Sequence, residues 1–139
     1  MVIKFDDIEI AFEFVSSGPQ YENYAVIDRK TGRIHYSSEI SDIDEIPDDI
    51  EEEPERYIGI PHKNDLELGR NLVFEFCYQF LPQEIAHVQN IFSRKGAYCN
   101  YKDLLDSKGL LDKWYTFEEE QKTLVLKNWC VENKINISA

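Results

Sequence analysis

The chain has 139 residues, of which 42% are apolar and 13% aromatic, with a formal net charge of −12. That composition builds a core and excludes a wholly disordered chain. Apolar runs of a few residues fall far short of the roughly 20 a membrane helix needs, and "MVIKFDDIEI" lacks the basic start and apolar centre of a signal peptide, so a cytoplasmic protein with no membrane partner is expected.

The first element is a helix from Asp6 or Asp7 to about Val15. Phe5, Ile8, Phe12 and Val15 fall on one stripe at spacings of three and four, and the two aspartates sit where carboxylates favour a helix N-terminus. "SSGPQ" breaks the chain. "NYAVID" and "RIHYS" flank "RKTG" and predict a hairpin, with Gly32 supplying the positive φ of a short loop. Tyr24 and Val26 are expected on one face, shared by Ile34 and Tyr36 of the partner strand.

Ser38 to Glu55 follows, with ten acidic residues and no basic ones. The rest of the chain holds 17 acidic and 15 basic residues, so a nearly neutral body carries one concentrated anionic segment. Such a segment repels nucleic acid and anionic membrane and attracts basic partners. Ile40, Ile43, Ile46 and Ile50 recur every three or four residues, which predicts short helical turns with one apolar edge docked. Pro47 forbids one continuous helix but suits the first position of a new turn. "RYIGIP" reads as a third strand.

The second half reads as helical. Asn64, with Glu67 three residues on, predicts a cap for a helix from about Asp65 to Phe80 that points Leu72, Val73, Phe76, Cys77 and Phe80 inward. Pro82 opens a helix carrying Ile85, Val88, Ile91 and Phe92. A third, near Tyr98 to Ser107, buries Tyr101, Leu104 and Leu105 and ends at Gly109. The last begins at Thr116, whose Thr-Phe-Glu-Glu sequence is a capping box, and its "LVLKNWCV" stretch is apolar almost all round, as in a central helix.

Chemistry-bearing motifs are sparse. Cys77, Cys99 and Cys130 form no disulfide framework or C-x-x-C pair. His35, His62 and His87 have no second ligand at helical spacing, so no metal site is expected. Asp42, Asp44, Asp48 and Asp49 resemble a calcium loop, but Pro47 takes the sixth position counted from Asp42, where the turn requires glycine. No glycine-rich phosphate loop is present, and no catalytic residue or cofactor site can be singled out.

From Phe92 to Gln121 basic and aromatic residues interleave, a pattern shared by nucleic-acid surfaces and ordinary helical cores. Helical spacing takes Trp114 and Phe117 inward. Lys102 is placed to pair with Asp106 four residues on, and Lys108 lies near a helix C-terminus, where a cation is favoured. The candidate nucleic-acid contacts are Arg94, Lys95, Tyr98, Lys102 and Lys113.

In their order along the chain, "AFEFVSSG", "YAVIDRKTGRIHYSSE", "IPDDIEEEPERYIGIP", "GAYCNYKDLL", "WYTFEEE" and "NWCVENKI" resemble the bacterial uncharacterised protein family 0158. The resemblance covers nearly the whole chain. It implies an intracellular bacterial protein and no established activity, substrate or cofactor. Where this chain has Cys99-Asn100, relatives often carry basic residues, and the loss of two cations would weaken any phosphate-binding surface on that helix.

The expected architecture is α+β. Residues 1–61 form an N-terminal helix, an antiparallel hairpin, the acidic connection and a short third strand, residues 62–139 form a four-helix part, and the two together make one compact unit. The leading functional expectation is a non-enzymatic interaction or regulatory module. Its acidic segment, through Asp42, Asp44, Glu45, Asp48, Asp49, Glu51, Glu52 and Glu53, would engage a basic protein surface. The alternatives are nucleic-acid association through the basic-aromatic helix, and an enzyme whose site assembles only in tertiary structure.

Overall fold

The computed structural model describes residues 1–138. The fold is α+β, in the order β1 (Ile3–Lys4), α1 (Phe5–Ser16), β2 (Asn23–Asp28), β3 (Ile34–Ser38), β4 (Ile43–Asp44), β5 (Tyr57–Gly59), α2 (Arg70–Phe80), a 3-10 turn (Pro82–Glu84), α3 (Ile85–Phe92), α4 (Ala97–Ser107), α5 (Leu111–Glu132) and β6 (Ile137–Ser138). The chain divides into two compact units, Met1–Leu66 together with the stretch from Val125 on, and Glu67–Leu124.

The first unit is a helix on a sheet. The antiparallel sheet has the order β4-β3-β2-β5. β2 pairs with β3 through Asn23–Ser38, Ala25–Tyr36 and Ile27–Ile34, so Ala25 and Ile27 share a face with Ile34 and Tyr36. This corrects the expectation that Tyr24 and Val26 share it; directly opposed residues point to the same side, and the register sets Tyr24 and Val26 on the other. α1 packs on the Ala25 side: Phe5, Ile8, Phe12 and Val15 are buried as their spacing predicts, and Phe14 meets Tyr36 edge-on at 5.1 Å. β1 pairs in parallel with β6 through Ile3–Ile137, which joins the two ends of this unit. Leu126, Cys130 and Ile135 are buried in it.

The second unit is helical around an aromatic cluster. Phe76 and Tyr101 stand edge-on to Trp114 at 5.3 and 5.2 Å, and Phe92 lies 5.6 Å from Tyr101. Leu72, Val73, Cys77, Val88 and Leu105 complete the core. Among the described residues the Trp114 indole N–H and the Tyr101 hydroxyl are buried without a hydrogen-bond partner of good geometry, the hydroxyl interacting only weakly with the Cys77 thiol, and burial pushes the Tyr101 phenol well up.

Three boundaries differ from the sequence expectation. α2 starts at Arg70, not near Asp65, because Asp65 is committed to side-chain bonds in the preceding loop and Glu67 has a left-handed φ of 57°, which no helix interior accepts. α5 starts at Leu111, not Thr116. The Trp114 N–H donates to the Leu110 carbonyl at 2.9 Å, and burying that indole adds a turn ahead of the capping-box sequence. In the acidic segment Ile43 lies in an edge strand instead of a helical turn, because β3 offers it a ladder: Ser38 opposes Ile43 and Ser37 opposes Asp44. Turns do form further on, with Glu52 and Glu53 both donating N–H to the Asp49 carbonyl.

Phe76→Ala should cost about 3–5 kcal/mol by urea unfolding, the range for emptying a buried aromatic site. Tyr101→Phe should change stability by no more than about 1 kcal/mol, because the deleted hydroxyl loses only a weak interaction with the Cys77 thiol.

Candidate functional site

The acidic segment is held to the sheet by Arg56, the first cation after it. The Arg56 Nε donates to Asp28 Oδ1 at 2.9 Å and Nη2 donates to Oδ2 at 2.8 Å, a two-pronged fork onto a carboxylate only 3% exposed. The remaining Nη1 reaches Glu53 at 3.0 Å and Asp49 at 3.5 Å. Asp49 accepts the Tyr57 hydroxyl at 2.8 Å, and the guanidinium lies 5.1 Å from the centre of the Tyr57 ring. Asp28 also organises the hairpin turn. Its side chain accepts the Lys30 N–H at 2.9 Å, and its backbone carbonyl accepts the N–H of Gly32, which has the positive φ expected of it, 79°.

The electrostatics follow from these contacts. The Arg56 guanidinium holds the Asp28 carboxyl well below the usual carboxylate range, against the upward push of burial. The Tyr57 hydroxyl bond lowers Asp49. Burial, then the bond to Asp49, pushes the Tyr57 phenol up to about 12.

The eight candidate carboxylates now separate. Asp49 and Glu53 belong to the Arg56 cluster, and Glu45 Oε1 accepts the Tyr36 N–H at 3.3 Å. Asp44 lies in the edge strand β4, and Asp42 sits in a left-handed turn with φ 54°. Asp42, Asp44, Asp48, Glu51 and Glu52 are exposed. Sequence reasoning missed Asp28, Arg56 and Tyr57. The available signal was a lone arginine closing an acidic run, opposite an aspartate at the start of a turn.

A second knot holds the loop before α2. The His62 ring, on a residue 4% exposed, accepts the Asn64 N–H at Nδ1 (3.0 Å), which leaves Nε2 protonated to donate to the Gly18 carbonyl at 2.8 Å. Asp65 accepts the His62 backbone N–H and the Gln20 amide. Every polar atom of the imidazole therefore has a structural bond.

The basic-aromatic candidates do not form one surface. Lys102 makes no ion pair with Asp106; its ammonium lies 5.5 Å from the Tyr115 ring centre. Lys113 lies 4.2 Å from the Phe80 ring centre, and Tyr98 packs edge-on to Phe92 at 5.0 Å. Lys108 pairs with Glu84 at 3.4 Å. Arg94 lines a groove of about 540 Å³ between α3 and α4 with His87, Asn90, Asn100 and Asp103, and Lys95 is exposed beside it.

Burial raises the thiol pKa at Cys77 and Cys130, which disfavours the nucleophilic thiolate, while Cys99 is exposed. Among the described residues no group of three histidine, cysteine or acidic side chains is placed to hold a metal ion, and no helix is long and apolar enough to cross a membrane.

The sequence profile of the Uncharacterised protein family (UPF0158) matches residues 4–139. The chain belongs to that family. No curated protein and no solved structure gives a significant match.

Asp28→Asn should destabilise the protein by roughly 2–3 kcal/mol at pH 7, because it removes one partner from a buried charged pair. Asp28 has its carboxyl pKa depressed by folding, so its contribution is fully present above the unfolded value of about 3.9 and is lost as the pH falls through the folded one. The stability gap between wild type and variant, from urea titrations, should hold from pH 7 to about 5 and close as the pH falls below about 4.

Proposed function

We propose that this member of the family is a non-enzymatic interaction module whose acidic segment engages a basic surface on a protein partner. The observation that carries the reading is the anchoring of the segment. Arg56 is engaged by Asp28, Asp49 and Glu53 together, and Tyr57 holds Asp49 from the other side. A run that served only to solubilise a linker would need no such attachment. With the backbone fixed at β4 and at the Asp49 turns, Asp42, Asp44, Asp48, Glu51 and Glu52 are presented with little ordering entropy left to lose on binding. Their like charge speeds encounter with a cationic partner and repels anionic ones.

A second reading is weaker but rests on its own observation. Arg94, with Asn90 and Asn100 in the α3–α4 groove and Lys95 beside it, offers two cationic and two carboxamide contacts to a nucleic-acid strand. The use of Lys102 and Lys113 on aromatic rings leaves this surface with few free cations.

Two variants separate the readings. Replacing Asp42, Asp44 and Asp48 by Asn and Glu51 and Glu52 by Gln, while sparing Asp49 and Glu53, should keep the fold and abolish capture of the partners that wild type retains from lysate of the source organism. Unchanged partners would sink the acidic reading. On the second reading, Arg94→Ala with Lys95→Ala abolishes binding of single-stranded RNA at low salt. If wild type does not bind RNA or DNA at low salt, that reading is dismissed.

A further inference from the structure

The sheet has two faces, and α1 covers only one. The alternation that turns Ala25 and Ile27 toward α1 turns Tyr24 and Val26 away from it. Across the strands, Tyr24 opposes Ser37 and Ser37 opposes Asp44, which makes one row on the outer face. His35, Val26 and Gly59 make the next. The row beyond, Asp28 and Tyr57, is closed over by Arg56 and buried. The outer face is therefore open at the Tyr24 end and capped at the Asp28 end.

Its open part combines two features that rarely meet on an idle surface. Tyr24 is 43% exposed, and at the edge of the sheet it shares with Tyr21, 76% exposed with a left-handed φ of 71°, a small cleft that Val15 and His62 also line. Ile40 is 74% exposed in the turn after β3, where the Glu39 N–H donates to the Glu22 carbonyl. Tyr24 shares its row with the exposed Asp44, and the exposed Asp42 lies two residues earlier. Asp42 and Asp44 lie at the Tyr24 end of the sheet, whereas exposed Arg33, whose carbonyl accepts the Asp28 N–H, and Arg56, held by three carboxylates, lie at the Asp28 end, so negative charge is concentrated at the Tyr24 end.

We infer that the outer face of the sheet, around Tyr24, Val26 and Gly59, is the docking surface for a lysine- or arginine-rich amphipathic helix of the partner protein. This rests on the acidic-segment reading and adds the apolar half of the recognition. Shape points to a helix. An α-helix is about 10 Å across and strands are about 4.8 Å apart, so one helix covers the β3-β2-β5 span. Gly59 has no side chain to obstruct it, and α1 already takes the equivalent position on the opposite face, the usual layering of helix on sheet. Charge complementarity points to a basic helix: its apolar stripe lies on Tyr24 and Val26 while flanking cations reach Asp42 and Asp44.

Gly59 makes the proposal testable. A Cβ built there meets nothing within 4 Å and its φ is not in the left-handed range, so Gly59→Arg leaves the fold intact while raising a cationic obstacle in the middle of the face. The probe is a synthetic helical peptide of about 18 residues, five turns long, with leucines along one stripe and lysines flanking them. A scrambled peptide of the same composition is the control. Titrated into isotope-labelled full-length protein at physiological salt, the helical peptide should shift the amide resonances of Val26, His35 and Gly59 and outcompete the scrambled peptide. Gly59→Arg should weaken it at least tenfold, and Tyr24→Ala, at an exposed position, should weaken it severalfold. Equal binding of both peptides, with shifts confined to residues 42–53, overturns the docking face and leaves the acidic reading standing. Absence of binding by either peptide also overturns it, and the lysate capture described above then decides whether the acidic reading falls too.

Discussion

One buried ion pair organises the first unit of this protein. Asp28 is almost inaccessible, and an isolated carboxylate in that position would carry a desolvation penalty of several kcal/mol. Arg56 offsets that penalty by meeting both oxygens in a fork, and the Lys30 N–H supplies a third bond. The same guanidinium gathers Asp49 and Glu53, so the charge that makes Asp28 tolerable inside also decides where the acidic segment lies. The Arg29 N–H to Arg56 carbonyl bond extends the β2–β5 ladder at the same point. Hairpin turn, third strand and anionic segment thus share a single electrostatic support. A lysine at position 56 would keep the charge and lose the fork.

The parts of the fold governed by short-range periodicity were legible in the sequence. The α1 stripe, the hairpin with Gly32 at its turn, the third strand, and the inward residues of α2 and α4 all follow from spacing and turn chemistry. The errors fall where a distant residue outweighs a local preference. Trp114 carries the start of α5 past a good capping box because burying an indole outweighs a cap worth about 1 kcal/mol. Ile43 has helical spacing to its neighbours, but β3 provides it with hydrogen-bond partners. Alternation groups Tyr24 with Val26 and Ile34 with Tyr36, yet alternation within each strand fixes no register between strands; the pairing of Ala25 with Tyr36 and Ile27 with Ile34 decides it. β1 with β6, separated by most of the chain, left no local trace.

The candidate site was legible as charge and not as geometry. Counting located the anionic segment, whereas its anchor at Asp28, Arg56 and Tyr57 depends on tertiary contact. The basic-aromatic stretch went the other way: its composition suggested a platform, and the structure spends Tyr101 and Trp114 on a core and sets Lys102 and Lys113 over rings. Family membership adds kinship over nearly the whole chain. What distinguishes the two charged surfaces physically is the state of their side chains: Lys102 and Lys113 lie over aromatic rings and Lys108 pairs with Glu84, whereas five acids of the anionic segment are exposed.

The division of the chain has a consequence for its synthesis. The first unit is interrupted in sequence: it is begun by Met1–Leu66 and finished by residues from Val125 onward, including β6 and the buried Leu126, Cys130 and Ile135. The second unit is continuous. On the ribosome, where chains emerge from the N-terminus at about 5–20 residues per second, the later segment has all its parts first. The earlier one waits with β1 unpaired and without Leu126, Cys130 and Ile135, which are buried in it once complete. Non-local closure of this kind is slow, and edges left waiting invite mispairing.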